Sequence, residues 1–218
     1  MISTRDLSAL PTIQALKKLT QSLAMLDAIM ERAWDYRYYS FNSKWAEGEQ
    51  MASMRNGQGD CWYCVFGSPG AFLNGFDHES AMSPWNKETH KVWPGVLDSV
   101  PKDFKTFSTE PAFSMGDTTF CIWRGNQDAQ WNTGKVTYPE SDDPDGSAWM
   151  LSILDGYPNT YKEWSEGYYE RPVSLSVIQK VYEHVPVTPR LVQELNATED
   201  IEGVLADATE IGYPFSRT

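Results

Sequence analysis

Two glycine-rich turn clusters, with residues 61–66 between them, constrain the fold more than any other feature of this sequence. They are Asn56-Gly57-Gln58-Gly59-Asp60 and Gly67-Ser68-Pro69-Gly70. Because Asn and Gly accept positive φ angles at little cost, both clusters are typical of tight turns. Apolar and aromatic stretches flank them at Glu49–Arg55, Cys61–Phe66 and Ala71–Phe76. We therefore predict three consecutive antiparallel strands that form a meander.

Helical patterns stand on both sides of this meander. Segment 8–32 predicts an amphipathic helix, because apolar residues recur there at steps of three and four; they are Ile13, Leu16, Leu19, Leu23, Leu26 and Met30. An aromatic stretch at Tyr36–Asn42 then predicts a strand. The last third predicts short amphipathic helices bounded by prolines, namely Ser147–Leu154, Thr160–Tyr168, Ser174–His184, Thr188–Asn196 and Ile201–Ile211.

The middle of the chain favours short elements, because prolines recur throughout segment 79–116. We predict a short helix at Val100–Phe107, a strand at Asp117–Arg124, and a second strand at Lys135–Tyr138 that pairs with it. The sequence contains neither an internal repeat nor a long linker. The expected architecture is a single α+β domain over residues 1–218, with an N-terminal helix, a central antiparallel sheet and a helical C-terminal layer.

Charge is distributed unevenly along the 218 residues, whose formal net charge is −12. Residues 136–218 contain 15 acidic and 5 basic residues. A field of this sign repels phosphate backbones, so we expect no nucleic-acid partner, and it attracts a basic protein. The alternative is that the acidic residues only maintain solubility. A membrane-spanning run and a signal peptide are not recognisable, and three cysteines suit a reducing compartment, so we expect a cytoplasmic protein.

The cysteine and glycine patterns predict neither a metal nor a cofactor. Cys61-Trp62-Tyr63-Cys64 matches C-x-x-C, but residues three apart on a strand point to opposite faces. Cys121 is the third cysteine, so a four-cysteine zinc site is excluded. The glycine-rich segments match no nucleotide-binding pattern.

One hexapeptide, Gly75–Ser80, has the composition of a polar site. It places His78 between Asp77 and Glu79, and neighbouring carboxylates can tune the basicity of an imidazole. A histidine at the end of a strand can also simply anchor a turn. Since no recognised catalytic motif accompanies it, we assign no catalytic residue.

Two further groups are candidates for binding a partner. Segment 141–146 has some features of a calcium loop, but Ser152 stands where that loop requires Glu. We therefore interpret it as a solvated acidic turn on which a partner's Lys or Arg could dock, through Asp142, Asp143 and Asp145. Aromatic residues in loops can anchor interfaces, although they can equally pack in the core; the candidates are Trp85, Trp93 and Trp131.

Two local patterns, Met51–Asp60 and Gly75–Ser80, are similar to stretches in immunity proteins of bacterial polymorphic-toxin and contact-dependent or type VI effector systems. The resemblance covers residues 48–84. A helix followed by a meander more distantly resembles the immunity proteins related to yeast cell-wall regulators. The resemblance implies a protein that binds and neutralises a cognate toxin or effector domain, with no chemistry of its own. The alternatives are a hydrolase-like enzyme, which would use His78 with Asp77, Glu79 or Asp60, and a regulatory scaffold.

Overall fold

The computed structural model describes residues 1–86, 88–197 and 200–217, and its central element is a six-stranded antiparallel sheet. Each strand pairs with the strand next to it in the sequence, so the sheet is a meander as predicted. The strands are β1 (Tyr39–Ala46), β2 (Glu49–Arg55), β3 (Cys61–Gly67), β4 (Gly70–Phe76), β5 (Phe120–Gly125) and β6 (Asn132–Thr133).

The two glycine clusters form the turns on either side of β3, as the sequence predicts. Gly57 and Gly59 have φ angles of +73° and +118° in the β2–β3 turn. Gly70 has a φ of +138° and begins β4, where a Cβ atom would lie 2.1 Å from the carbonyl oxygen of Arg124. Glycine is therefore required at Gly70 both for the backbone angle and for the close approach of β4 to β5.

Helices cover one face of the sheet. The long N-terminal helix, α1 (Ile13–Met30), begins after Thr12, whose hydroxyl accepts a hydrogen bond from the Ala15 N–H. It packs on β1 and is flanked by three of the C-terminal helices. The C-terminal helices are α2 (Ser147–Met150), α3 (Pro158–Tyr169), α4 (Leu175–Tyr182), α5 (Pro189–Leu195) and α6 (Ile201–Ile211). Of these, α4, α5 and α6 contact α1. The α+β class and the helical C-terminal layer are thus confirmed.

The sheet is buried on both faces. Trp62, Cys64 and Phe66 point from β3 into the core beneath the helices. The opposite face is covered largely by the described part of the chain between β4 and β5, which contains short 3₁₀ turns and packs on strand residues to form a second apolar cluster. Its members are Val65, Phe72, Met82, Val96, Phe104, Phe107, Phe113, Cys121 and Trp123.

Two local predictions are wrong. Segment Val100–Phe107 does not form one helix; it contains a 3₁₀ turn at Lys102–Phe104, and another turn starts at Phe107, because both phenylalanines point into the second cluster. Lys135–Tyr138 is not a strand, and β6 instead pairs with β5 through Asn132 and Thr133. At Gly134 a Cβ atom would lie 1.9 Å from the Gly95 carbonyl oxygen, so the chain here packs on another loop and leaves the sheet.

Boundaries also differ from the sequence patterns. The N-terminal helix starts at Ile13 and not at residue 8, because Thr12 caps it directly after Pro11. The first strand starts at Tyr39 and not at Tyr36, which belongs to a 3₁₀ turn.

One carboxylate, Asp27 of α1, is fully buried in the main core. Its Oδ2 atom accepts hydrogen bonds from the N–H groups of Tyr38 (3.0 Å) and Tyr39 (2.8 Å), and its Oδ1 atom accepts one from the Tyr161 hydroxyl (2.8 Å). Asp27 thereby joins α1 to the start of β1 and to α3. Burial raises the pKa of Asp27 to about 7, although these hydrogen bonds oppose that shift.

We expect Asp27→Asn to flatten the pH dependence of the free energy of unfolding between about pH 4 and pH 7. The folded-state pKa lies above the ordinary value, so the folded protein retains a proton that the unfolded chain has lost in this interval. The contribution of Asp27 to stability is therefore full below about pH 4 and is lost as the pH rises through about 7. Asparagine has nearly the same shape and cannot ionise.

Urea denaturation across this pH range measures the effect. The matched control is Asp103→Asn, which removes an exposed carboxylate and should leave the pH dependence unchanged. A variant Asp27→Asn that folds but follows the original pH profile would contradict the shifted pKa.

Candidate functional site

His78 and Asp60 meet at one end of the sheet. Asp60 directly precedes β3 and His78 lies two residues beyond β4, and the antiparallel register places Cys61 opposite Phe76. The Oδ1 atom of Asp60 lies 2.6 Å from Nδ1 of His78 and accepts the His78 backbone N–H at 2.9 Å. Asp60 therefore fixes both the backbone and the ring of His78.

The β2–β3 turn holds Asp60 in place. Asn56 Oδ1 accepts hydrogen bonds from the N–H groups of Gln58 (2.8 Å) and Asp60 (3.0 Å), and Asn56 Nδ2 donates to Asp60 Oδ2 at 2.5 Å. One carboxylate oxygen of Asp60 thus contacts Asn56 and the other contacts His78. The β2–β3 turn therefore holds the Asp60 carboxylate through contacts that do not involve His78.

The electrostatic effect on His78 follows from this geometry. Because the Asp60 carboxylate accepts a hydrogen bond from Nδ1–H, it stabilises the charged ring and raises the pKa of His78. The side chain is 40% exposed, and Nε2 lies 3.9 Å from Oε1 of the exposed Glu79. A carboxylate that orients an imidazole in this way is also found where histidine acts as a general base.

Asp77 contributes to packing. Its Oδ1 atom accepts the Glu79 N–H at 2.9 Å, and its Oδ2 atom accepts the indole N–H of Trp149 at 2.8 Å. Its own N–H donates to the Thr119 hydroxyl at 3.1 Å. Gly146 approaches so closely that a Cβ atom there would lie 2.3 Å from Asp77 Oδ2. Asp77 therefore fastens the loop around residues 141–149 to the end of β4.

The acidic loop is less solvated than the sequence predicts. Asp142 is exposed, as expected. Asp143 instead accepts the N–H groups of Ala148 (3.1 Å) and Trp149 (3.0 Å), at the beginning of α2. Asp145 is 2% exposed and accepts hydrogen bonds from the Thr4 hydroxyl and the Ser147 N–H. The prediction of a solvated turn is wrong for Asp143 and Asp145, because the N–H groups that open α2 need acceptors.

The three loop tryptophans have different environments. Trp131 is 4% exposed and donates to the Pro11 carbonyl at 2.7 Å, so the prediction that it is an exposed anchor is wrong. Trp93 is half-buried and donates to the Thr137 carbonyl at 3.0 Å. Trp85 is 66% exposed, with its ring centroid 4.4 Å from that of His90. Only Trp85 has the exposure expected of an anchor.

The sequence interpretation missed Trp149, which is 41% exposed and lies beside Asp77. The segment that contains it predicts an amphipathic helix, and in such a pattern a tryptophan is normally assigned to the core. Its position directly after the acidic loop was the available signal.

Two candidate segments that lie far apart in the sequence, 77–80 and 141–149, form one surface. The Trp149–Asp77 hydrogen bond joins them, and two further bonds support it: Met82 N–H to the Pro144 carbonyl (3.1 Å), and the Thr119 hydroxyl to the Asp145 carbonyl (2.8 Å). We call this surface the acidic face. Its solvent-accessible side chains are His78, Glu79, Asp142 and Trp149.

A metal ion would compete with existing hydrogen bonds at this position. Asp60, Asp77 and His78 offer ligand atoms that lie within 4.8 Å of one another. However, His78 Nδ1 contacts Asp60, and both carboxylate oxygens of Asp77 accept hydrogen bonds from Glu79 and Trp149. Since the oxygens of Asp60 and Asp77 already accept these hydrogen bonds, we assign the two carboxylates a positioning role.

The C-x-x-C pair lies on opposite faces of β3, as expected. Cys64 is in the main core, whereas Cys61 shares the other face with Tyr63 and Val65. Burial raises the pKa of Cys61 to about 11 and that of Cys64 still further, so both thiols stay protonated at neutral pH.

Comparisons with protein-family models, with curated proteins and with solved structures gave no match to this chain. Among the residues that the structure describes, every helix is too short or too polar to cross a bilayer.

We expect Asp60→Asn to lower the pKa of His78 towards its ordinary value, because the variant removes the charge that stabilises the protonated ring. Two-dimensional NMR of the imidazole C–H groups measures this pKa. The matched control is Glu79→Gln, which removes an exposed carboxylate 3.9 Å from Nε2 and should have a smaller effect because solvent screens it. Equal shifts in the two variants would contradict the assigned Asp60–His78 hydrogen bond.

Proposed function

We propose that this chain is an immunity protein that binds and inhibits a basic toxin or effector domain through the acidic face. The observation that carries the proposal is the hydrogen bond from Trp149 to Asp77, which joins segments 77–80 and 141–149, on which Glu79 and Asp142 are exposed. The proposal implies a bacterial protein that acts in the cytoplasm and forms a protein–protein complex, with no cofactor.

Charge supports the choice of a basic partner. Residues 136–218 have ten more acidic than basic side chains, and Asp142 lies at the start of this segment. The nearby Arg5 guanidinium donates to the carbonyls of Ser141 and Asp142, both at 3.1 Å, and so is engaged with the backbone of the loop. An acidic surface of this kind increases the rate at which a basic partner meets it.

Trp149 supplies the short-range part of the interaction. Exposed tryptophans are frequent hot spots because they bury a large area with few rotatable bonds. The bond from its indole N–H to Asp77 fixes its orientation before any partner arrives, which reduces the entropy lost on binding. Trp85 lies on the loop that follows Asp77 and offers a second exposed indole.

The partner can be sought beside the gene for this chain. The toxin domain is expected at the C-terminal end of a large secreted protein encoded immediately upstream. Co-expression of that domain with this chain should restore bacterial growth, and a pull-down should recover the complex. Growth arrest despite abundant folded protein would refute the proposal for that toxin.

We expect the double variant Glu79→Gln and Asp142→Asn to slow association with the toxin domain and to change dissociation little. The effect should shrink at high salt, since the Debye length falls from about 10 Å at 0.1 M to about 3 Å at 1 M. Surface plasmon resonance at two salt concentrations measures both rates. The matched control is Glu163→Gln with Glu183→Gln, which removes the same charge from exposed positions in α3 and directly after α4. Equal slowing in both double variants would show that association depends on the net charge of the protein and not on the acidic face.

We expect Trp149→Ala to accelerate dissociation of the complex, with a loss of about 2 kcal/mol or more if Trp149 is a hot spot. Trp149→Phe separates the loss of ring area from the loss of the hydrogen bond to Asp77. The matched control is Tyr157→Ala, which removes another exposed aromatic ring, at 68% exposure. Unchanged dissociation in Trp149→Ala would exclude this side chain as an anchor.

The Asp60–His78 pair favours one second candidate, a hydrolase. Oriented by Asp60, His78 could accept a proton from water through Nε2, since no hydroxyl or thiol among the described residues is hydrogen-bonded to that nitrogen. His78→Gln distinguishes the candidates. It should abolish turnover in a hydrolase, whereas a binding protein should keep most of its affinity for the toxin domain.

A further inference from the structure

A groove of about 610 Å³ lies at the end of the sheet opposite the acidic face. The first half of α1 forms one wall, and the β1–β2 hairpin and the β3–β4 turn form the other. This volume is within the range of small-molecule sites, about 300–1,000 Å³. The side chains that matter for its chemistry are Gln14, Lys17, Lys18, Lys44, Gln50 and His184.

The groove is cationic in a strongly acidic chain. Lys17 and Lys18 extend from α1 and Lys44 extends from β1, whereas Glu49 is the one acidic residue of the lining. Within the described part of the chain, none of these three lysines forms an ion pair. Like charges on facing walls repel one another, so an anion between them would be stabilised by both.

The direction of α1 adds to this potential. The lining of the groove begins at Ile13 and Gln14, in the first turn of an 18-residue helix, where the helix dipole places partial positive charge. Acidic side chains commonly occupy that position, yet the first turn of α1 contains none. The helix and the lysines thus favour the same sign of ligand.

One neutral group defines a further contact. His184 Nε2 lies 2.9 Å from the Lys18 carbonyl and must donate to it, which leaves Nδ1 of the neutral ring as an acceptor. Burial lowers the pKa of His184 and so favours the neutral ring. The groove therefore combines positive charge with an acceptor for a hydroxyl or amino group.

We propose that this groove binds a small anionic molecule that carries a phosphate or carboxylate together with hydroxyl groups. The lysines contact the anionic group, and His184 Nδ1 accepts a hydrogen bond from a hydroxyl. The site is separate from the acidic face, and the proposal does not depend on the proposed function.

Isothermal titration calorimetry of the full chain with ribose 5-phosphate, at low and at moderate salt, tests the proposal. We expect saturable binding that weakens by about tenfold or more in Lys17→Gln with Lys44→Gln, because each charge-assisted contact contributes strongly to affinity. The matched control, Lys91→Gln with Lys102→Gln, removes the same charge from exposed positions outside the groove and should bind nearly as the unmodified protein does. The pKa of His184, measured by NMR, should rise when the anion binds.

Three results would overturn the proposal. The first is an absence of saturable binding, and the second is equal weakening in the two double variants. The third is that a hexaglutamate peptide binds in the groove whereas ribose 5-phosphate does not, which would indicate an acidic segment of another protein and not a small molecule. Circular dichroism of each variant excludes loss of folding as the cause.

Discussion

The buried carboxylate of Asp27 determines how the helical layer is fixed to the sheet. It accepts two backbone N–H groups where β1 begins and a hydroxyl from α3, and its partner Tyr161 is 134 residues away in the chain. If α1 moved away from β1, a carboxylate and two N–H groups would lose their partners inside an apolar core, which costs several kcal/mol. The position of β1 relative to α1 is therefore specific. Because each strand pairs with the next one in the sequence, β1 also sets the position of the later strands.

The parts of the fold that can be predicted from the sequence are those determined by residues close together in the chain. Gly57, Gly59 and Gly70 mark the turns because their φ angles require glycine, and this information lies within a few residues. Segment 77–146 is different, because distant contacts determine its path. Gly134 lies against Gly95, and Asp145 is bound by Thr4, 141 residues away. Such contacts leave no periodic pattern in the sequence.

The candidate site shows the same division. His78 was recognisable because carboxylates flank it, whereas its pairing with Asp60 follows from the register of β3 and β4. The exposure of Trp149 and the burial of Trp131 depend on which loops cover each ring, and composition does not contain that information. Residue type therefore indicates the candidate side chains, and tertiary packing decides which of them reach solvent.

The meander has a consequence for the order of folding. Short turns join β1 to β2, β2 to β3 and β3 to β4, so these four strands can assemble quickly, whereas the long segment 77–119 separates β4 from β5. The acidic face requires Asp77 to meet Trp149, 72 residues away, which is a slower search. We therefore expect a refolding chain to pair β1 to β4 before it can bind a partner. On a ribosome, the sheet could assemble while the last third of the chain is still being synthesised, and the ability to recognise a partner would arise only afterwards.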